Sequence, residues 1–179
     1  MKNRFFKNFL IFTLCFLATP HLFAEVSPSR QKLIDNALTF RGIPYKYAGK
    51  IPETGFDCSG FVSYVANDAL NIKLSPSTTQ MFREVKKISI SEREPGDLIF
   101  FAVKGSDGIS RVNHVAIYLG KYTGSGALNG KRLMVHAASD GPSTGVIVSD
   151  VEENYWKNHF YSYARILPST KDTKTQAEK

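Results

Sequence analysis

The stretch Gly55-Phe56-Asp57-Cys58-Ser59-Gly60-Phe61-Val62-Ser63-Tyr64-Val65 sets a small polar turn against an apolar run, with a cysteine at the joint. From Cys58 onward, Phe61, Val62, Val65, Ala66 and Ala69 recur at helical spacing and form one apolar face. Asp57 is placed to cap that helix and Asn71 to end it. The cysteine therefore opens a helix, where unpaired amides and the macrodipole favour an anion. A free thiol with a pKa of about 8.5 can fall to roughly 3.5–7.5 in such a position, so it can be a thiolate at neutral pH. Most free cysteines are buried and inert. Asp57 and Ser59 on either side are untypical of a core.

Working outward, Lys2, Arg4 and Lys7 precede an apolar run from Phe9 to Ala18, and small residues follow near Ala24. That order predicts a secretory signal peptide over residues 1–24. The run is about half the ~20 residues a spanning helix needs, so no stable membrane anchor is expected. Cys15 lies inside the apolar core with bulky Leu14 before it, and is read as unlipidated. Cleavage removes three basic residues and no acid, taking the formal charge from +7 to +4. It also leaves Cys58 as the single cysteine of an exported chain, and an odd exported cysteine points to a reactive thiol. The remaining length makes one domain that can bury a core without staples. The modest positive charge suits an anionic surface such as a cell wall, and equally an ordinary solvated one.

Along the chain, Ser29–Phe40 reads as an amphipathic helix carrying Leu33, Ile34, Ala37 and Leu38. A helix around Thr78–Val85 follows Ser75-Pro76-Ser77. After Glu94-Pro95-Gly96 the pattern changes to strands: Leu98–Val103, His114–Leu119, Leu133–Ala137, Val146–Val148 and Tyr161–Ile166. Residues Lys104–Arg111 read as a loop, and Tyr155-Trp156-Lys157 as a short helix or turn. From Pro168 the chain is too polar to bury a core, and residues 169–179 are expected to be disordered. Helices first and strands after predict an α+β domain with a mostly antiparallel sheet.

In His114–Leu119, Val115, Ile117 and Leu119 form the apolar face, and His114, Ala116 and Tyr118 point the other way. His136 shares its face with Met134 and Ala138. A hairpin pairing 118 with 132 and 114 with 136 would stand the two imidazoles opposite each other, Cβ atoms roughly 4.5–5.5 Å apart. With Cys58 nearby, a thiolate could attack a carbonyl while one imidazole holds it and later protonates the leaving amine. A further polar group would fix that ring's tautomer. One thiolate and two imidazoles are also zinc ligands, but zinc motifs usually take two ligands from one tight turn, and these come from separate elements. Nucleophilic catalysis is therefore the preferred reading. His159, beside Trp156 and Phe160, reads as a surface or packing residue.

Phe56-Asp57-Cys58-Ser59-Gly60-Phe61-Val62, Pro95-Gly96-Asp97-Leu98-Ile99-Phe100-Phe101, His114-Val115-Ala116-Ile117-Tyr118-Leu119-Gly120 and Val135-His136-Ala137-Ala138 resemble the successive signatures of the NlpC-type cell-wall cysteine peptidases. The likeness runs from about Arg30 to Leu167, and Tyr155-Trp156-Lys157 with Tyr163-Ala164-Arg165 resembles the closing segment of the small Gram-negative members. The resemblance implies a papain-like fold over residues 25–168, N-terminal helices packed on the sheet, that hydrolyses peptidoglycan stem peptides. It implies Cys58 as nucleophile, His114 as base and His136 as the orienting residue. Tyr45, Asp57 and Ser59 would line the substrate subsite. Ala48 and Ala116 stand where glycine is usual, and the segments Lys104–Asn113 and Lys121–Arg132 look longer than in the shortest members.

The expected activity is a stem-peptide endopeptidase cutting a bond that involves a diamino acid, either the D-glutamyl link or the cross-link beyond it. A papain-like N-acetylmuramoyl-alanine amidase and a non-catalytic wall-binding module are the alternatives. No cofactor, metal or nucleic-acid partner is expected, and the protein is read as a monomer exported to the periplasm or the wall.

Overall fold

The structure is a computed structural model that describes residues 26–141 and 143–169. The expected leader lies outside the described residues, as does the expected tail beyond Ser169.

Helix α1, Pro28–Thr39, starts with proline in its first turn, where a missing amide costs nothing, and buries Leu33, Ile34 and Ala37. Strands β1 (Lys50–Ile51) and β2 (Gly55–Phe56) form a minimal hairpin pairing Lys50 with Phe56. Helix α2, Cys58–Leu70, follows at once. Asp57 Oδ1 accepts the Gly60 amide at 2.6 Å, and Asn71 closes the helix in the left-handed region. Phe61, Val62, Val65 and Ala66 are fully buried, as their spacing predicts. Helix α3, Thr78–Glu84, buries Met81.

The remaining strands are β3 (Lys86–Ile88), β4 (Leu98–Lys104), β5 (Ser110–Lys121), β6 (Arg132–Ala138), β7 (Gly145–Asp150) and β8 (Phe160–Arg165), with helix α4 (Asn154–His159) before β8. They make one antiparallel sheet in the order β3-β8-β4-β5-β6-β7. The unbroken apolar run of β4 is explained by its central place, because it is buried on both faces. Val115, Ile117, Leu119 and Val135 pack with α1, α2 and α3. Ala116, Tyr118, Met134, Phe101 and Tyr163 form a second cluster that α4 covers with Trp156. A fully buried Arg30–Asp97 ion pair at 3.0 Å ties α1 to the start of β4, and Arg165 of β8 joins it at 2.9 Å.

Two expectations about the strands are corrected. The β5–β6 register pairs Tyr118 with Met134 and Lys121 with Arg132, not 118 with 132. Strand β5 runs on through Gly120 and Lys121, closing the hairpin nearer its loop, and a bulge after Tyr118 takes up one extra residue. Carried along the strands, this register sets His136 opposite position 116, so the histidines are diagonal and not opposite. The displacement is two residues, and the side-chain period of two keeps both rings on one face. Second, the loop expected over Lys104–Arg111 is shorter, residues 105–109, with Lys104, Ser110 and Arg111 in the strands. Val103 pairs with Arg111 and Lys104 with Ser110, so the β4–β5 hairpin projects past the core. Backbone pairing holds that arm where no apolar alternation marks it.

Candidate active site

The turn before α2 is packed backbone to backbone. The Asp57 amide donates to the Gly49 carbonyl at 3.0 Å. A Cβ at Gly60 would run into that same carbonyl, so only glycine lets the first turn of α2 close on this loop. Ala48, in the loop, has φ +56, the left-handed region that glycine occupies without strain.

This packing sets Cys58 at the first helical position, nearly buried, with its sulfur 3.5 Å from Thr78 Oγ1 and 3.9 Å from the Asn113 carbonyl. The Val115 amide also donates to the sulfur. The thiol is thus held by the backbone on both sides of His114. A β-bulge makes this possible: Phe101 pairs with His114 and Ala102 with Val112, leaving Asn113 as the extra residue. Bulges re-aim side chains in this way beside functional sites.

His114 Nε2 lies 2.9 Å from His136 Nδ1, and His136 Nε2 lies 3.0 Å from Ser149 Oγ on β7. Trp156 stacks on His114, centroids 5.1 Å apart, and meets His136 edge-on at 4.8 Å. Burial pushes His114 down to about 4, and burial reinforced by His114 pushes His136 down to about 3. The expectation of a lowered thiol pKa is reversed. Burial raises Cys58, and hydrogen bonds from Thr78, Val115 and Ser59 offset it only in part. The helix end is covered by α3 and the β4–β5 arm, so desolvation outweighs the helix field. Thiol and imidazoles all rest neutral. The facing nitrogens of the two imidazoles are turned on each other, which is not how two rings share one zinc ion.

The expected subsite residues separate. Tyr45 bridges to Phe56 and stands half-buried, with burial and then the Cys58 charge raising its phenol. Asp57 is half-buried, with Oδ1 bound to Gly60 and Ser59. Ser59 turns inward, buried, its hydroxyl between Asp57 Oδ1 and the Pro76 carbonyl, each at 3.0 Å. Its hydroxyl is engaged within the turn. His159 lies apart, stacked on Tyr155. Ser149, Thr78, Asn113 and the covering role of Trp156 were not foreseen. The first three are common residue types at positions with no pattern of their own, and a lone Trp156 beside a short helix gave no sign of which rings it would cover.

Fold and site together define an α+β domain with a thiol at a helix N-terminus and a histidine pair on the adjoining strands. The chain matches the NlpC/P60 family over residues 42–165 and belongs to it. It is 30% identical over 148 residues to the murein DD-endopeptidase MepH of Escherichia coli, covering 80% of this chain and 48% of that protein. The chain therefore spans about half the length of that relative. Among solved structures, it is similar to a lipoprotein-like NLP/P60 protein of Staphylococcus aureus, with 30% identity, TM-score 0.61, and 86% and 46% of the two chains covered. It is also similar to RipD of Mycobacterium tuberculosis, described as a non-catalytic NlpC/p60 domain protein adapted to peptidoglycan binding. There the identity is 26%, the TM-score 0.56, and the coverage 79% and 100%. Among the described residues, no helix is long and apolar enough to cross a membrane.

Proposed function

We propose that this protein is a cysteine endopeptidase of peptidoglycan stem peptides, cutting a bond that involves a diamino acid. The observation that carries the reading is the His114–His136 pair beside a thiol whose sulfur is held by the backbone of the residues flanking His114. Because Nε2 of His114 is engaged by His136, Nδ1 is the nitrogen left to face the thiol. The Cys58 proton passes to His114 as the sulfur attacks the scissile carbonyl. The neutral resting pair makes this transfer part of the attack, with no standing thiolate required. The Cys58 amide, left without an intrahelical partner at the start of α2, supplies a donor for the oxyanion. His114 then protonates the leaving amine, and water, deprotonated by the same imidazole, releases the acyl group from sulfur. Asp57 and Tyr45 offer a polar subsite for an ammonium or hydroxyl-bonded group of the stem.

The same reading has the chain exported, starting near Glu25 and acting without a cofactor as a monomer at the wall. N-terminal sequencing showing a lipid-modified Cys15 would overturn that start.

Mass spectrometry of soluble products from purified sacculi tests the activity, wild type against Cys58→Ser. Stem fragments released only by the wild type support the endopeptidase. Lactyl-peptides would mean an amidase. The likeness to RipD favours one second reading, a non-catalytic wall-binding module. A folded protein that sediments with sacculi and releases nothing would establish it.

A further inference from the structure

We infer that Ser149 is a positioning residue for this reaction: its hydroxyl accepts the Nε2–H of His136 and so holds the proton arrangement in which His114 can act as a base. The inference rests on the endopeptidase reading.

Only one of the two nitrogens facing each other at 2.9 Å, His114 Nε2 and His136 Nδ1, can carry the proton between them. If His136 Nδ1 carries it, His114 keeps its own proton on Nδ1 and is no base. If His114 Nε2 carries it, Nδ1 of His114 is bare and can take the Cys58 proton. His136 must then hold its proton on Nε2, where the partner is Ser149 Oγ at 3.0 Å. Once His114 is an imidazolium, both its nitrogens carry protons and only this second arrangement survives. Ser149 is thus required as an acceptor when the charge develops.

Burial makes the requirement costly to neglect. His136 is fully buried, so an Nε2–H with no acceptor would be an orphaned donor in the interior. A bare Nε2 is the lesser fault, and without the hydroxyl the balance tilts toward the arrangement that disarms His114. Ser149 also borders a cavity of about 940 Å³ along β7, lined further by Arg41, Val148, Glu153, Tyr155 and Trp156. Cys58, His114 and His136 do not line it. When Ser149 accepts from His136, its own proton must find an acceptor, and the cavity offers room for water to supply one. The hydroxyl is therefore the link between the buried His136 and this space.

The test compares Ser149→Ala and Ser149→Thr with wild type in the full chain, by stem-peptide kinetics and by 15N NMR of labelled histidines. Ser149→Ala is expected to lower kcat about tenfold, with KM unchanged, because cavity water only partly replaces the hydroxyl. The His136 signal should move from Nε2-protonated toward Nδ1-protonated, and Ser149→Thr should restore both. Wild-type kcat in Ser149→Ala, or an Nε2-protonated His136 in that variant, overturns the inference. Loss of kcat that threonine fails to restore overturns it too. Should the wild type cut no stem at all, the endopeptidase reading fails, while the tautomer signal still decides what Ser149 does to His136.

Discussion

Replacing Asp97 with asparagine should destabilise the protein severely without touching Cys58, His114 or His136. Asp97 is fully buried, and its Oδ1 receives Arg30 Nη1, Arg30 Nη2 and Arg165 Nε, each at 3.0 Å. Its Oδ2 receives the Glu94 amide at 2.8 Å and Arg165 Nη2 at 2.9 Å. Every group facing this carboxylate is a donor, so an amide NH2 at either end would meet donors alone. The guanidinium of Arg30, also fully buried, would keep the Pro95 and Pro168 carbonyls and Glu94 at 3.2 Å. Breaking a buried ion pair from one side costs about 3–5 kcal/mol, and the surviving Glu94 contact places Asp97→Asn near 3. That is a large share of the about 5–15 kcal/mol that holds a domain folded. Urea unfolding followed by far-UV circular dichroism measures it as a lower midpoint at unchanged slope. A loss below about 1 kcal/mol would refute the reasoning.

Cys58→Ala and His114→Ala should each abolish stem cleavage, while His136→Ala, which loses orientation but not the proton acceptor, should retain some; product assays on sacculi check this. With His114 pushed down to about 4, its neutral form persists below the usual histidine range, so turnover should fall only as pH drops through about 4. Removing the covering indole in Trp156→Ala should move that acid limb up toward the ordinary value, read from kcat against pH. Because the folded histidines resist protonation and unfolded ones do not, stability should be level above about 6.5 and decline as pH falls toward about 4, read from melting temperatures. Ala48→Gly should relieve a left-handed alanine worth about 1–2 kcal/mol, less the added chain entropy of glycine, leaving a gain of up to about 1 kcal/mol by urea unfolding.

Local chemistry made much of the site legible in advance. The Asp57 cap, the apolar face behind Cys58 and the Asn71 stop are interactions within about one turn of helix, so their residues specify them without help from the rest of the chain. Strand alternation likewise placed His114 and His136 on one face, since parity survives a two-residue shift of register. What the sequence could not carry depends on contacts between distant segments. The bulge at Asn113, the exact diagonal of the histidines and the pairing of Lys104 with Ser110 are set by backbone hydrogen bonds, which are nearly blind to side-chain type. The direction of the Cys58 pKa escaped a local reading for the same reason. The helix end is a local feature, but its burial is made by α3 and the β4–β5 arm, and in a covered site desolvation wins over a dipole. Ser149 and Trp156 reach the histidines only because β7 and α4 fold over them, so tertiary packing alone made them part of the site.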